Sequence, residues 1–176
     1  AIYSVKQSMN LQKALAEVQA VTQATPKAMA AYKKAAIDLG TSTGVGATKA
    51  AGALAELAKG GLSVDDTLTA LKGTIALAQA GGLDLATAGQ TVAQSLNLFN
   101  MKGSEATKVA DSFANAANAT TADVAFFSQG MAQGGAAAKA AGLNFDQTTV
   151  ALEMLAANGF KSGSDAGTSL KTTLTQ

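Results

Sequence analysis

The stretch LSVDDTLTAL, from Leu62 to Leu71, returns as LNFDQTTVAL from Leu143 to Leu152, with leucine, aspartate, threonine, alanine and leucine identical in register. Between the two copies, MKGSEATKVADSF from Met101 to Phe113 shows the same order of apolar residue, polar helix cap and helical run. Together they predict a unit of about 40 residues used three times. Repetition describes a scaffold. It weighs against a single catalytic centre, which needs unlike residues converging at one place.

The spacing of apolar residues is helical nearly throughout. Val64, Leu68, Leu71 and Ile75 recur at intervals of three and four, as do Leu85, Ala88, Val92, Leu96 and Phe99, and no stretch sustains strand-like alternation. Start signals stand where the repeat requires them: Ser63, Ser104 and Asn144 are predicted N-caps, and Asn144 with Gln147 makes a candidate capping box. The partner helices are predicted to open near Asp84, Asp123 and Asp165. Glycine follows each helical run at Gly60-Gly61, Gly81-Gly82, Gly142 and Gly159, ready to take the left-handed conformation that ends a helix. Ahead of the repeats, Tyr3 to Gln23 reads as a helix, and Thr25-Pro26 caps and starts a second that runs to Gly40. The loop TSTGVG, Thr41 to Gly46, leads into a helix from Ala47 to Lys59. The expected fold is therefore all-α, with about nine helices in three successive hairpins closing as a bundle or a short solenoid. Residues 1–44 form its N-terminal helices and loop, and residues 45–176 its repeat region. The pattern reads as an excerpt from a longer polypeptide.

Composition narrows the chemistry. All 13 basic residues are lysine, against 12 acidic ones, and there is no arginine, so no basic, arginine-bearing face is present for sequence-specific nucleic-acid recognition. Histidine and cysteine are absent, which removes imidazole bases, thiolate nucleophiles, disulfides and the common zinc ligands. Alanine supplies 41 residues. Burial stabilises by about 0.8 kcal/mol per CH₂, so seams closed by methyl groups hold less firmly than leucine seams, and tertiary packing is expected to melt before the helices do. The longest uncharged run, Leu85 to Met101, carries Gln90, Gln94, Asn97 and Asn100 and is too short and polar to span a bilayer.

Candidate reactive motifs resolve into helix punctuation. Gly44-Val45-Gly46 and GFKSGSDAG, from Gly159 to Gly167, lack both the lysine and hydroxyl at fixed offset and the preceding strand of a phosphate loop. Asp65, Asp66, Asp123 and Asp165 fall at helix starts, where a carboxylate meets the helix dipole without doing chemistry, and no calcium loop occurs. No catalytic residue, metal site or cofactor is expected. Phe127, Met131, Gly134, Gly135 and Ala138 lie in the most apolar stretch. Their small residues at a spacing of four mark a candidate self-association face.

From Ala47 onward the chain resembles the core region of phage tail tape measure proteins. The resemblance rests on ordered phrases: Leu57 to Ser63, with Gly61, Leu62 and Ser63; Ala76 to Ala80; Ser104 to Asp111, with Ala110 and Asp111; Ala116 to Val124; and Gly159 to Lys171. The least generic is Ala166-Gly167-Thr168-Ser169-Leu170-Lys171, and the phrases cover about 130 of the 176 residues. The resemblance implies a non-enzymatic structural protein of a tailed phage that occupies the tail tube, sets tail length during assembly and leaves during DNA ejection. The implied partners are other copies of itself, a trimer among the options, together with tail-tube and tail-tip or baseplate proteins, and a membrane only during ejection. The implied location is the virion, in the tube lumen or tip, after assembly in the host cytoplasm. A non-phage helical-repeat adaptor and a membrane-active helical protein are the alternatives that the residues alone leave open.

Overall fold

A computed structural model describes residues 2–176, with side chains from residue 6 onward. Among the described residues there are nine α-helices and no strand: α1 (Ile2–Thr22), α2 (Pro26–Ser42), α3 (Ala47–Lys59), α4 (Val64–Gly81), α5 (Leu85–Leu98), α6 (Ala106–Ala119), α7 (Val124–Ala140), α8 (Phe145–Ala157) and α9 (Gly163–Leu174). A short 3-10 turn, Gly103–Glu105, leads into α6.

Local chemistry sets the boundaries. Ser63 accepts a hydrogen bond from the Asp66 amide at the start of α4, and Asp84 accepts from the Ala86 and Thr87 amides at the start of α5. Asn144 and Gln147 complete the expected capping box at α8. Gly82, with φ of 60°, ends α4 in the left-handed conformation. Ser104 departs from expectation. It lies inside the 3-10 turn, where the Lys102 amide donates instead to the Glu105 carboxylate at 2.9 Å, and α6 starts without a side-chain cap. The reason is Gly103, whose amide donates to Asp66 Oδ1 at 2.7 Å and ties the turn to the first turn of α4.

Consecutive helices pack on each other as hairpin neighbours, yet the period that governs packing is longer than 40 residues. The most extensive contacts are α7 with α9, α4 with α6 and α1 with α3, so the chain divides by packing into three units of three helices, the first of which runs across residue 44. Sequence follows the same register. Gly103-Ser104-Glu105-Ala106 recurs as Gly163-Ser164-Asp165-Ala166, and Gly82-Leu83 as Gly142-Leu143, each 60 residues on. The caps of the middle helices, Thr25, Asp84 and Asn144, stand 59 and 60 residues apart. The LSVDDTLTAL echo aligns the first helix of one unit with the middle helix of the next. It is a likeness of helix starts.

Apart from a slight touch of α4 on α7, substantial contacts join only helices one or two apart in the chain. A closed bundle would return its last helices to its first, so this arrangement is a short solenoid. Buried residues from Leu15 to Leu170 form one continuous cluster along it. Alanine lines much of that core, but units two and three meet through rings: Phe113 lies 5.6 Å from Phe145 and 6.2 Å from Phe127, and Phe99 meets Phe145 edge-on at 5.7 Å. That seam is aromatic where composition suggested methyl groups.

Candidate functional site

The marked residues do not converge on one point. Gly61, Leu62 and Ser63 make the α3–α4 turn, Gly61 with φ of 87°. Ser104 and Asp111 are exposed on the approach to and the outer face of α6, while Ala110 is buried beneath. Gly159 takes φ of 98° in the α8–α9 turn. On α9, Ala166, Gly167 and Leu170 point inward and Thr168 and Lys171 outward.

The residues that do meet belong to α7 and α9. Gly130 and Gly134 on α7 are four apart, and so are Gly163 and Gly167 on α9. A methyl group added at Gly163 would overlap the Phe126 carbonyl, and one at Gly167 would overlap the Gly130 carbonyl. One added at Gly134 would sit 2.7 Å from the Gly167 carbonyl oxygen. The two backbones are in van der Waals contact along facing GxxxG faces, the geometry that small residues permit between helices and that favours weak Cα–H···O bonds.

Phe127, Met131, Gly134, Gly135 and Ala138 are all buried within the chain. Gly134 faces α9, and a methyl at Gly135 would strike Leu98 of α5. Close helix approach is thus made inside the molecule. The small residues of α7 are legible in the sequence, whereas GFKSGSDAG, expected as punctuation, supplies the α9 side of this contact. The common spacing of four, offset by 33 residues between 130/134 and 163/167, is the signal that pairs them.

Unit two closes the same contact differently. A methyl at Gly73 would overlap the Ala106 backbone and one at Gly103 the Asp66 backbone, and here a carboxylate assists. Asp66 accepts from Gly103 and from the Ser63 hydroxyl at 2.7 Å, and these bonds hold its carboxyl below the usual carboxylate range. In unit one an ion pair does related work. Lys59 of α3 reaches Glu17 of α1 at 2.6 Å and Glu56 at 2.8 Å, which raises the lysine pKa and lowers that of Glu56.

Three further carboxylates are similarly engaged. Asp84 caps α5 and is held low by the Thr87 hydroxyl, Asp123 caps α7, and Asp146 pairs with Lys108 at 2.8 Å. Among the described residues no group of three or more histidines, cysteines, aspartates or glutamates could hold a metal ion, and no helix is long and apolar enough to cross a membrane.

Fold and positions together define a helical-repeat scaffold whose marked residues stand in turns, in seams and on exposed helix faces. The family described as phage-related minor tail protein matches residues 33–176, and the chain belongs to that family, among the structural proteins of the phage tail. It is also 34% identical over 173 residues to the tape measure protein of Pneumococcus phage Dp-1, a match that covers 98% of this chain and 15% of that protein. No solved structure matches it. Both comparisons extend the likeness upstream of Ala47, where the phrases legible in the sequence begin.

Proposed function

We propose that this chain is a compact helical domain of a tape measure protein, which as a whole lies in the tail tube, sets tail length and leaves ahead of the DNA, with the ruler itself outside this domain. The observation that carries this reading is the 34% identity running along nearly the whole chain to a tape measure protein several times its length. Its companions are other copies of itself and tube, tip or baseplate subunits. Its place is the tube lumen or tip of the virion, after assembly in the host cytoplasm, with a membrane met only during ejection.

A helical ruler works because an α-helix advances about 1.5 Å per residue, so residue count becomes length. This chain turns between each of its nine described helices and the next, which suits a folded element beside the ruler. Alanine-rich seams within its units favour unfolding on the way through a narrow tube. Deleting these 176 residues from the parent protein in a phage genome tests the assignment. The expected outcome is a tail of unchanged length or failed assembly. A tail shortened by on the order of 260 Å, as an extended helix requires, would make this segment part of the ruler and contradict the proposal.

A further inference from the structure

We infer that the three units form a finite solenoid capped at both ends, on which neither a second copy nor a further repeat of this kind stacks. Partners are thereby left the long sides of the solenoid. This is a property of the end faces and holds apart from the tail assignment. Like the caps of the middle helices, the left-handed residues that end the first helices, Gln23, Gly82 and Gly142, stand 59 and 60 residues apart. Each position of unit one therefore has a counterpart in units two and three.

At the internal seams the first and second helices of a unit face the unit before it. Phe127 and Phe145 of unit three lie against Phe113, and a methyl at Gly135 would strike Leu98. Met131, Phe145 and Leu152 are buried on that face, as are their counterparts Leu71, Leu85 and Val92 in unit two. Unit one carries Gln12, Pro26 and Lys33 instead, all exposed. Ser8 stands for Thr67 and Phe127, and Gln19 for Ala78 and Ala138. A seam of the internal kind would bury the Lys33 ammonium, and α9, the helix that would face it, has no carboxylate after Asp165. An unpaired charge and several side-chain polar groups would be taken out of water at once.

The last face is altered in the same sense. Leu54 of α3 and Phe113 of α6 are fully buried, and so are Ala50 and Val109. Unit three has Thr173 and Ser169 at these positions, and Asn158 of α8 where Leu39 and Leu98 stand. A head-to-tail stack of two copies would thus set Thr173 beside Ser8 and Pro26, in the places where Phe113, Phe127 and Phe145 meet. Ile37 at one end and Met154 with Leu155 at the other stay apolar, far less than an internal seam buries. Polar outer faces are what end a stack of repeats.

Restoring a seam tests this. Ser8→Phe, Gln12→Met and Lys33→Leu together give one chain the residues of unit three at its first face, and Thr173→Phe gives another the ring of unit two at its last. All four positions are exposed, so circular dichroism should be unchanged. In sedimentation the two altered chains should bind each other about tenfold or more tighter than either binds the unaltered chain, as burial of the added apolar groups requires. A second measurement needs no restored seam. The chain has no cysteine, so Ala30→Cys and Thr172→Cys proteins, altered at the counterparts of Gly89 and Ala53, which touch across the first seam, can be mixed and oxidised. Mixed and like disulfides should form in random proportion. Altered chains that bind each other no tighter than they bind the unaltered one, or a mixed disulfide in clear excess, would overturn the capped ends. Either result would leave the tail assignment standing, since that is read from tail length and assembly.

Discussion

Units two and three close the same contact, first helix against third, by different means. Between α7 and α9 four glycines bring backbone against backbone. Between α4 and α6 each side contributes one glycine, Gly73 and Gly103, and the Asp66 carboxylate clasps the Gly103 amide. The comparison teaches that what recurs is a distance of approach, and that side chains are recruited where glycines are fewer. The first pair should tolerate pH and resist any added carbon. The second should respond to protonation.

The two units are coupled through rings, so the largest effect should come from uncoupling them. Phe113→Ala removes the ring that meets both Phe127 and Phe145, and should destabilise by about 3 to 4 kcal/mol. Calorimetry should then show α7–α9 melting apart from the rest. A single unshifted transition would mean that the aromatic seam does not join the units.

Next is the glycine pair. Helix propensity alone makes Gly167→Ala stabilising by roughly 0.8 kcal/mol, whereas the overlap with the Gly130 carbonyl makes it destabilising by about 2 kcal/mol. The sign of the change in urea denaturation decides between them, and the structure requires a loss.

A smaller effect sharpens the other half of the comparison. Asp66→Ala should cost about 1 kcal/mol at neutral pH by stranding the Gly103 amide and loosening the α4 start. The folded-state pKa of Asp66 is depressed, so its contribution is complete above the unfolded value near 3.9 and is lost as pH falls through the lower folded value. Stability curves of the two proteins should therefore converge in acid. A difference that persists unchanged at low pH would dissociate the clasp from the carboxylate's charge.

The smallest effect is the control. No atom lies within 4 Å of where a methyl would stand on Gly52, inside α3, so Gly52→Ala should stabilise by about 0.5 to 1 kcal/mol. A loss there comparable to that at Gly167 would erase the distinction between open and sealed glycines.

Much of the fold was legible because it is written in local signals. Ser63, Asp84, Asn144 and Gly82 act through their own first or last turn, and caps and glycine stops need nothing from distant residues. What was not legible depends on pairs far apart. The 60-residue register was hidden because α4 and α7 share few residues beyond Val64 and Val124 and their alanine-glycine ends. The near match of α4 with α8 arises from two capped helix starts and drew attention to a shorter period. Ser104 lost its expected role to Gly103, whose partner Asp66 lies 37 residues away. The family phrases were readable as ordered words, and their residues prove to be spread over turns, caps, exposed helix faces and one glycine seam. Facing GxxxG segments announce themselves only when both helices are laid side by side.

The α7–α9 contact is where the account can be met most directly. Nuclear Overhauser spectra of the folded chain should show strong cross-peaks between the Hα protons of Gly130 and Gly134 and those of Gly163 and Gly167, as backbones in contact require. Helical chemical shifts across both segments without those cross-peaks would leave α7 and α9 apart, and would contradict a solenoid of three-helix units sealed at the backbone.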